Sequence, residues 1–169
     1  MVIIIMGLPG SGKSFFAERL AALLHAAYAS SDHIRKSMFP VRTYSSKEKE
    51  QVYDEMINRM RLAISEGKNI IMDGTFYLDN LRQKFIRNAL PNCTIIFIEV
   101  IADEAIIRER LKMSRKDSEA DFKVYQLLKT QWEPLKEAHL TLHSTDENIA
   151  EMLEIANQYI QSRNDKGTN

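Results

Sequence analysis

The stretch that decides the fold is "VIIIMGLPGSGKS", Val2 to Ser14, in which a five-residue apolar run breaks into a glycine-rich turn that ends in Lys-Ser. Residues Gly7 to Ser14 fit the spacing G-x-x-x-x-G-K-[ST] at every fixed position. Glycines let a chain fold back with its N–H groups turned inward, and a helix that starts there adds partial positive charge. Such a turn cradles phosphate oxygens. The context is the one this chemistry needs. The β-branched run ahead reads as a strand. The segment behind it, Lys13–His25, sets Phe16, Leu20 and Leu24 on one helical stripe. The loop residues Gly7, Leu8, Pro9, Gly10, Ser11 and Gly12 are thus expected to bind nucleotide phosphates. Lys13 would reach the β- and γ-phosphates, and Ser14 would ligate Mg²⁺.

Outward from this turn, short apolar runs alternate with helical segments. Strands are expected at Val2–Met6, Ala27–Ser30, Asn69–Asp73, Thr94–Ile101 and Leu140–His143. The runs "VIIIM", "NIIMD" and "TIIFIEVI" are nearly continuous in hydrophobicity, as strands covered on both faces are. A second long amphipathic helix is expected over Lys47–Glu66, with Gly67 at its C′ position. Pro40 and Pro134 stop two others. Near the end, Ser144 and Glu147 of "STDE" form a capping box before an apolar-periodic helix, and residues from Arg163 onward read as a disordered tail. Steady strand–helix alternation predicts an α/β fold, a parallel sheet between helix layers, with ligands bound at the carboxyl ends of the strands.

Bulk properties narrow the class. A chain of 169 residues is the size of one domain, here expected over 1–162. Basic and acidic residues balance at 23 each, so no global field draws the protein to nucleic acid or an anionic membrane. The initial apolar run is too short for a signal peptide or a span, and a single cysteine, Cys93, fits a reducing cytosol. The sequence has no Asn-Lys-x-Asp to read guanine and no Ser-Gly-Gly of transporter-type ATPases. The four histidines show no metal-ligand spacing.

Two further stretches fall on the rim that carries the glycine-rich loop. "SSDHIRKSMF" begins where the second strand ends. Ser31 is the expected N-cap, and Asp32 and Arg35 share a helix face. Phosphoryl transfer to an alcohol needs a carboxylate to receive the hydroxyl proton, a role open to Asp32, with Arg35 gripping a neighbouring group. "NIIMDGT" puts Asp73 at a strand end, where it serves the metal or a basic side chain, with Gly74 where motor ATPases place a water-activating Glu. Downstream, Arg108, Arg110, Lys112, Arg115 and Lys116 crowd a stretch whose apolar period lapses at about 113–120. This is the pattern of a lid that neutralises phosphate charge and excludes water, with Arg115 favoured over Arg110.

Together, "GLPGSGKS", "SSDHIR", "MDGTFYLDNLR" and "RERLKMSRKDSEADFKVYQLLKTQWEPL" resemble the P-loop kinases grouped with the zeta toxins and the kinase domain of phage polynucleotide kinase. The resemblance spans Val2 to about Tyr159. It implies a five-stranded parallel sheet of order 2-3-1-4-5 and a cytoplasmic kinase dependent on ATP and Mg²⁺. By the same resemblance Lys13 and Ser14 serve phosphates and metal, Asp32 is the general base, Arg35 contacts acceptor or phosphate, Asp73 supports the metal or Arg35, and Arg115 is the lid arginine. Arg110 and Arg115 are five apart, where adenylate-kinase-like lids often show four. Arg82, nine residues after Asp73, matches a basic position facing the acceptor. The acceptor itself is expected to be a small hydroxyl compound, a sugar, sugar acid or nucleoside-like molecule, with Arg42, Thr43, Tyr44 and Tyr53 as contacts from the variable segment 38–66. The alternatives are a kinase of polynucleotide 5′-hydroxyls or tRNA and, in another class, an ATP-binding switch.

Overall fold

The structure, a computed structural model, describes residues 1–89, 91, 93–113 and 120–165. The chain order is β1 (Val2–Met6), α1 (Lys13–Leu23), β2 (Ala27–Ser30), α2 (Ser31–Met38), α3 (Ser46–Ser65), β3 (Ile70–Asp73) and α4 (Asp79–Asn88). It continues through β4 (Ile95–Ile101), α5 (Glu104–Lys112), α6 (Phe122–Thr130), β5 (His139–His143) and α7 (Ile149–Asp165). The five strands form one sheet in the order β2-β3-β1-β4-β5, and every neighbouring pair is parallel. The expected fold class, strand order and strand positions all hold.

The buried centre of the sheet follows from its apolar strands. All five residues of β1 have no solvent exposure, and their side chains alternate between the two faces. Val2, Ile4 and Met6 pack with Val52, Met56 and Met60 of α3 and with Phe85 of α4. Ile3 and Ile5 pack with Phe16 and Leu20 of α1 and Met152 and Ala156 of α7. The sheet therefore separates an α3 face from an α1 face. The edge strands β2 and β5 are short or polar, "AYAS" and "HLTLH", as suits strands with a free side.

Three boundaries differ from the sequence reading. Ser30, not Ser31, caps α2, its hydroxyl accepting from the His33 N–H. Gly67 does take the left-handed conformation just past α3, at φ 68°. Ser144 is not a helix cap. α7 starts at Ile149, with the Asn148 carbonyl accepting from the Met152 N–H, and Asn148 Oδ1 accepts from the Thr145 N–H. α7 also runs to Asp165, into the stretch expected to fray, while 166–169 lie outside the described residues. Among the described residues no helix is long and apolar enough to cross a membrane.

Candidate active site

The loop between β1 and α1 lies at the carboxyl edge of the central strand. Its glycines are required by space as well as by torsion. A Cβ on Gly7 would stand 2.3 Å from the Val100 carbonyl oxygen of β4. Gly12 has φ +91°, and a Cβ there would meet Ser144 Oγ at 2.7 Å and an Arg110 nitrogen at 3.1 Å. Unlike α2, α3 and α6, which are capped by Ser30, Ser45 and Asp121, α1 has no side-chain cap and no acidic residue in its first turn. Its N–H groups are therefore left for an anion. Lys13 and Ser14, both half-buried, open this helix.

Asp73 ends β3 beside β1, in register with Ile5 on one side and Ser30 on the other. It lies on the same sheet face as Ile71, which packs with α1, and so on the side where Ser14 begins that helix. Its carboxylate is 2% exposed. One oxygen accepts from the Tyr28 hydroxyl at 2.8 Å, and the other has no hydrogen-bond partner among the described residues. Burial and the neighbouring Asp73 carboxylate push the Tyr28 phenol far above its ordinary value, so it remains a donor. A buried carboxylate oxygen without a partner, on the sheet face that carries α1 and Ser14, fits a hard divalent cation or its water.

One cleft, of about 460 Å³, runs along the α1 face between Lys13–Phe15, Arg110 and the β5–α7 junction. Arg110 is fixed there by four contacts. It donates to the Gly10 carbonyl and to Ser144 Oγ, both at 3.2 Å, and twice to Asp146 Oδ1, at 3.0 and 2.9 Å. Arg110, read from sequence beside Arg115 in the basic stretch, is thus held at the cleft wall by the P-loop and the β5–α7 junction. Ser144, Thr145 and Asp146, read from sequence as part of a cap, prove to line the cleft. The signal that could have found them is position, since they follow the carboxyl end of β5 on the ligand-binding rim. Arg115 and the lid expected at 113–120 fall outside the described residues between 114 and 119.

On the α3 face the sequence reading is redrawn. Asp32 stands half-buried in the first turn of α2, on the rim as expected. Arg35 turns inward instead, 7% exposed, with its Nη1 2.6 Å from Glu48 Oε1 and its guanidinium 5.0 Å from the centre of the Tyr44 ring. Glu48, which sequence reading passed over, also accepts from the backbone and hydroxyl of Thr43 and the backbone of Tyr44. Burial would raise its carboxyl, but the bonds from Arg35 and Thr43 outweigh that and hold it at about 2. Arg35 and Glu48 therefore fix the turn that presents half-buried Arg42 and half-exposed Tyr44, the latter at φ 54°.

Two expected acceptor contacts are buried in internal contacts. Tyr53 is 6% exposed and packs edge-on against Phe76 and Phe85, because its position on α3 faces the core stripe. Arg82 has no exposure at all. It donates to the carbonyls of Phe76 and Pro134 and lies 3.6 Å from Asp79, tying the β3–α4 turn to the segment after α6.

This fold is shared with solved kinases. An unliganded sugar kinase from Janibacter sp. HTCC2649 superposes with a TM-score of 0.73 at 16% identity, covering 95% of this chain and 94% of that one. A gluconokinase from Sinorhizobium meliloti 1021 does so with a TM-score of 0.67 at 19% identity, covering 95% and 97%. In sequence, the thermoresistant gluconokinase of Escherichia coli (strain K12) is 27% identical over 140 residues, 80% of this chain and 77% of the relative. A match to the family described as an AAA domain runs over residues 2–135 and takes in the P-loop, Asp32 and Asp73 together, so the chain belongs to that family, as one of its P-loop kinases.

Proposed function

We propose that the protein is an ATP- and Mg²⁺-dependent kinase that transfers the γ-phosphoryl group to a hydroxyl of a small-molecule acceptor. The observation that carries this reading is the meeting of three features on one rim. These are an uncapped α1 N-terminus inside a P-loop, the buried Asp73 carboxylate with one unpartnered oxygen, and Asp32 at the end of the strand next to Asp73. The P-loop amides and Lys13 hold the β- and γ-phosphates, and Ser14 and Asp73 would hold a divalent cation. Such an ion would supply neutralisation of the phosphate charge. Asp32 accepts the acceptor's hydroxyl proton while its oxygen bonds to the γ-phosphorus. The bond to the β–γ bridging oxygen breaks, and that oxygen leaves with its electron pair on ADP. Arg110, braced by Asp146, steadies the nucleotide, and Arg115 adds a second arginine by resemblance alone.

Arg35 enters this reading as a positioning residue, since its guanidinium is committed to Glu48 and holds α2, with Asp32, against α3. Arg42 and Tyr44, which that pair presents, remain the acceptor contacts of the segment before α3. The finer grouping with zeta toxins and phage polynucleotide kinase belongs to the same proposal and rests on the "SSDHIR" and "MDGT" elements. So does action in the cytosol. Balanced charge favours a small acceptor over a polynucleotide end, which would draw on a basic groove.

The test is ADP release over a panel of hydroxyl compounds. Acceptor-dependent turnover should rise well above basal hydrolysis. Asp32→Asn should abolish transfer with ATP affinity unchanged, and Lys13→Ala should weaken ATP binding itself. Full transfer by Asp32→Asn would remove Asp32 from the role of base.

A further inference from the structure

Tyr28 of β2 carries a hydroxyl to which the reaction outlined above gives no part. It stands opposite Ile71 in the parallel pairing of β2 with β3, and Asp73 is the next residue of β3 on that sheet face. One strand over and two residues on, the diagonal between the two backbones spans about 8 Å, which only a long side chain with a polar tip can close. Tyr28 closes it, donating to Asp73 Oδ2 at 2.8 Å.

The phenol is held from two sides. Its ring packs against the α1-face core, and it meets the His33 ring in the first turn of α2 edge-on, with 6.0 Å between ring centres. Ser30, two residues beyond Tyr28, caps that same helix. Asp73 is as firmly placed, since it ends β3 beside the central strand and is 2% exposed. Neither partner is a surface side chain free to turn away.

A carboxylate taken out of water needs donors or a cation on its oxygens. Tyr28 serves Oδ2, and Oδ1 has no hydrogen-bond partner among the described residues. One oxygen is therefore closed by the protein and the other is left open. That division bears on which ion suits the site. Ca²⁺ readily takes both oxygens of one carboxylate, whereas Mg²⁺, smaller and octahedral, keeps several waters and takes fewer protein oxygens. Hydrogen bonds from an outer residue orient a ligating carboxylate, and their loss costs roughly ten- to a hundredfold in metal affinity.

We infer that Tyr28 is a positioning residue for the reaction: its hydroxyl occupies one oxygen of Asp73, so that the carboxylate meets the nucleotide's divalent cation, or a water on it, through the other oxygen alone. This arrangement favours Mg²⁺ over Ca²⁺. The inference rests on the assignment of Asp73 to the cation in the kinase reading above.

The test is calorimetric binding of ADP in chelator, in Mg²⁺ and in Ca²⁺, to the wild type, Tyr28→Phe, Asp73→Asn and the double variant. The readout is the gain in ADP affinity that each ion brings, which a general loss of stability does not move. Tyr28→Phe keeps the ring and its packing, and its Tm records any cost to the fold separately. This variant should lose most of the gain from Mg²⁺, up to about tenfold, and keep most of the gain from Ca²⁺, with ADP affinity in chelator unchanged. In the Asp73→Asn background Tyr28→Phe should add nothing, because the tyrosine acts through that carboxylate. Equal loss for the two ions in Tyr28→Phe, or no loss while Asp73→Asn loses the Mg²⁺ gain, would overturn the inference and leave the kinase reading standing. A wild type whose ADP affinity ignores Mg²⁺, or an Asp73→Asn variant that keeps the whole gain, would remove Asp73 from the cation and the inference with it.

Discussion

At the scale of single residues, two arginines show how burial reassigns a charge. Arg35 and Arg82 both read from sequence as ligand-facing cations, and both are internal ties. Replacing Arg82 with Ala would leave two buried carbonyls and nearby carboxylates without their partner. Thermal unfolding should show a loss of about 3 kcal/mol, or roughly 6–12 °C in Tm, while the KM for acceptor in the surviving fold stays unchanged. Glu48 gives a pH signature. Its carboxyl sits at about 2 in the fold against an ordinary 4.5, so below about 4.5 the unfolded chain binds the proton first. The stability from Glu48 is complete above that pH and drains away as pH falls toward about 2. Urea unfolding from pH 6 down to the acid limit should show the gap between wild type and Glu48→Gln closing across that window.

At the scale of elements, the junction of β5 and α7 is the piece that completes the cleft beside the P-loop. Ser144 and Asp146 hold Arg110 over the P-loop, and Ser144 closes on Gly12. Asp146→Ala removes two bonds that orient Arg110. The expected result is an ATP KM raised several-fold, of the size of one or two charged hydrogen bonds, with the acceptor KM unchanged. Gly12→Ala meets both a left-handed φ and a 2.7 Å contact with Ser144 Oγ. It should abolish ATP binding by calorimetry, and adding Ser144→Ala should not restore it, because the backbone strain stays.

At the scale of the whole molecule, the sheet works as a partition. The cleft beside Lys13 and Arg110 lies on the α1 face, and α2, which carries Asp32, packs on the α3 face. Substitutions on one face should therefore leave the KM of the other substrate alone. The exception is the core strand that supports both. Ile4→Ala, at a position without exposure in the central strand, should cost about 2–5 kcal/mol in urea unfolding and lower both affinities only through stability.

The sequence by itself determined the strands, their parallel arrangement and the phosphate loop. Each of these is written in local pattern: continuous apolar runs for strands covered twice, glycines where a φ is positive, Lys-Ser at a fixed step from them. Asp73 and Asp32 were legible for the same reason, because strand ends mark the ligand rim. Only the tertiary structure decided what each charged side chain faces. It buried Arg82, paired Arg35 with Glu48 thirteen residues away, turned Tyr53 into core, and turned Ser144 from a supposed cap into a wall of the cleft beside the P-loop. Local pattern fixes the direction in which a side chain leaves the backbone. Whether it then meets water, a ligand or a counter-charge depends on segments that sequence separation hides and packing brings together.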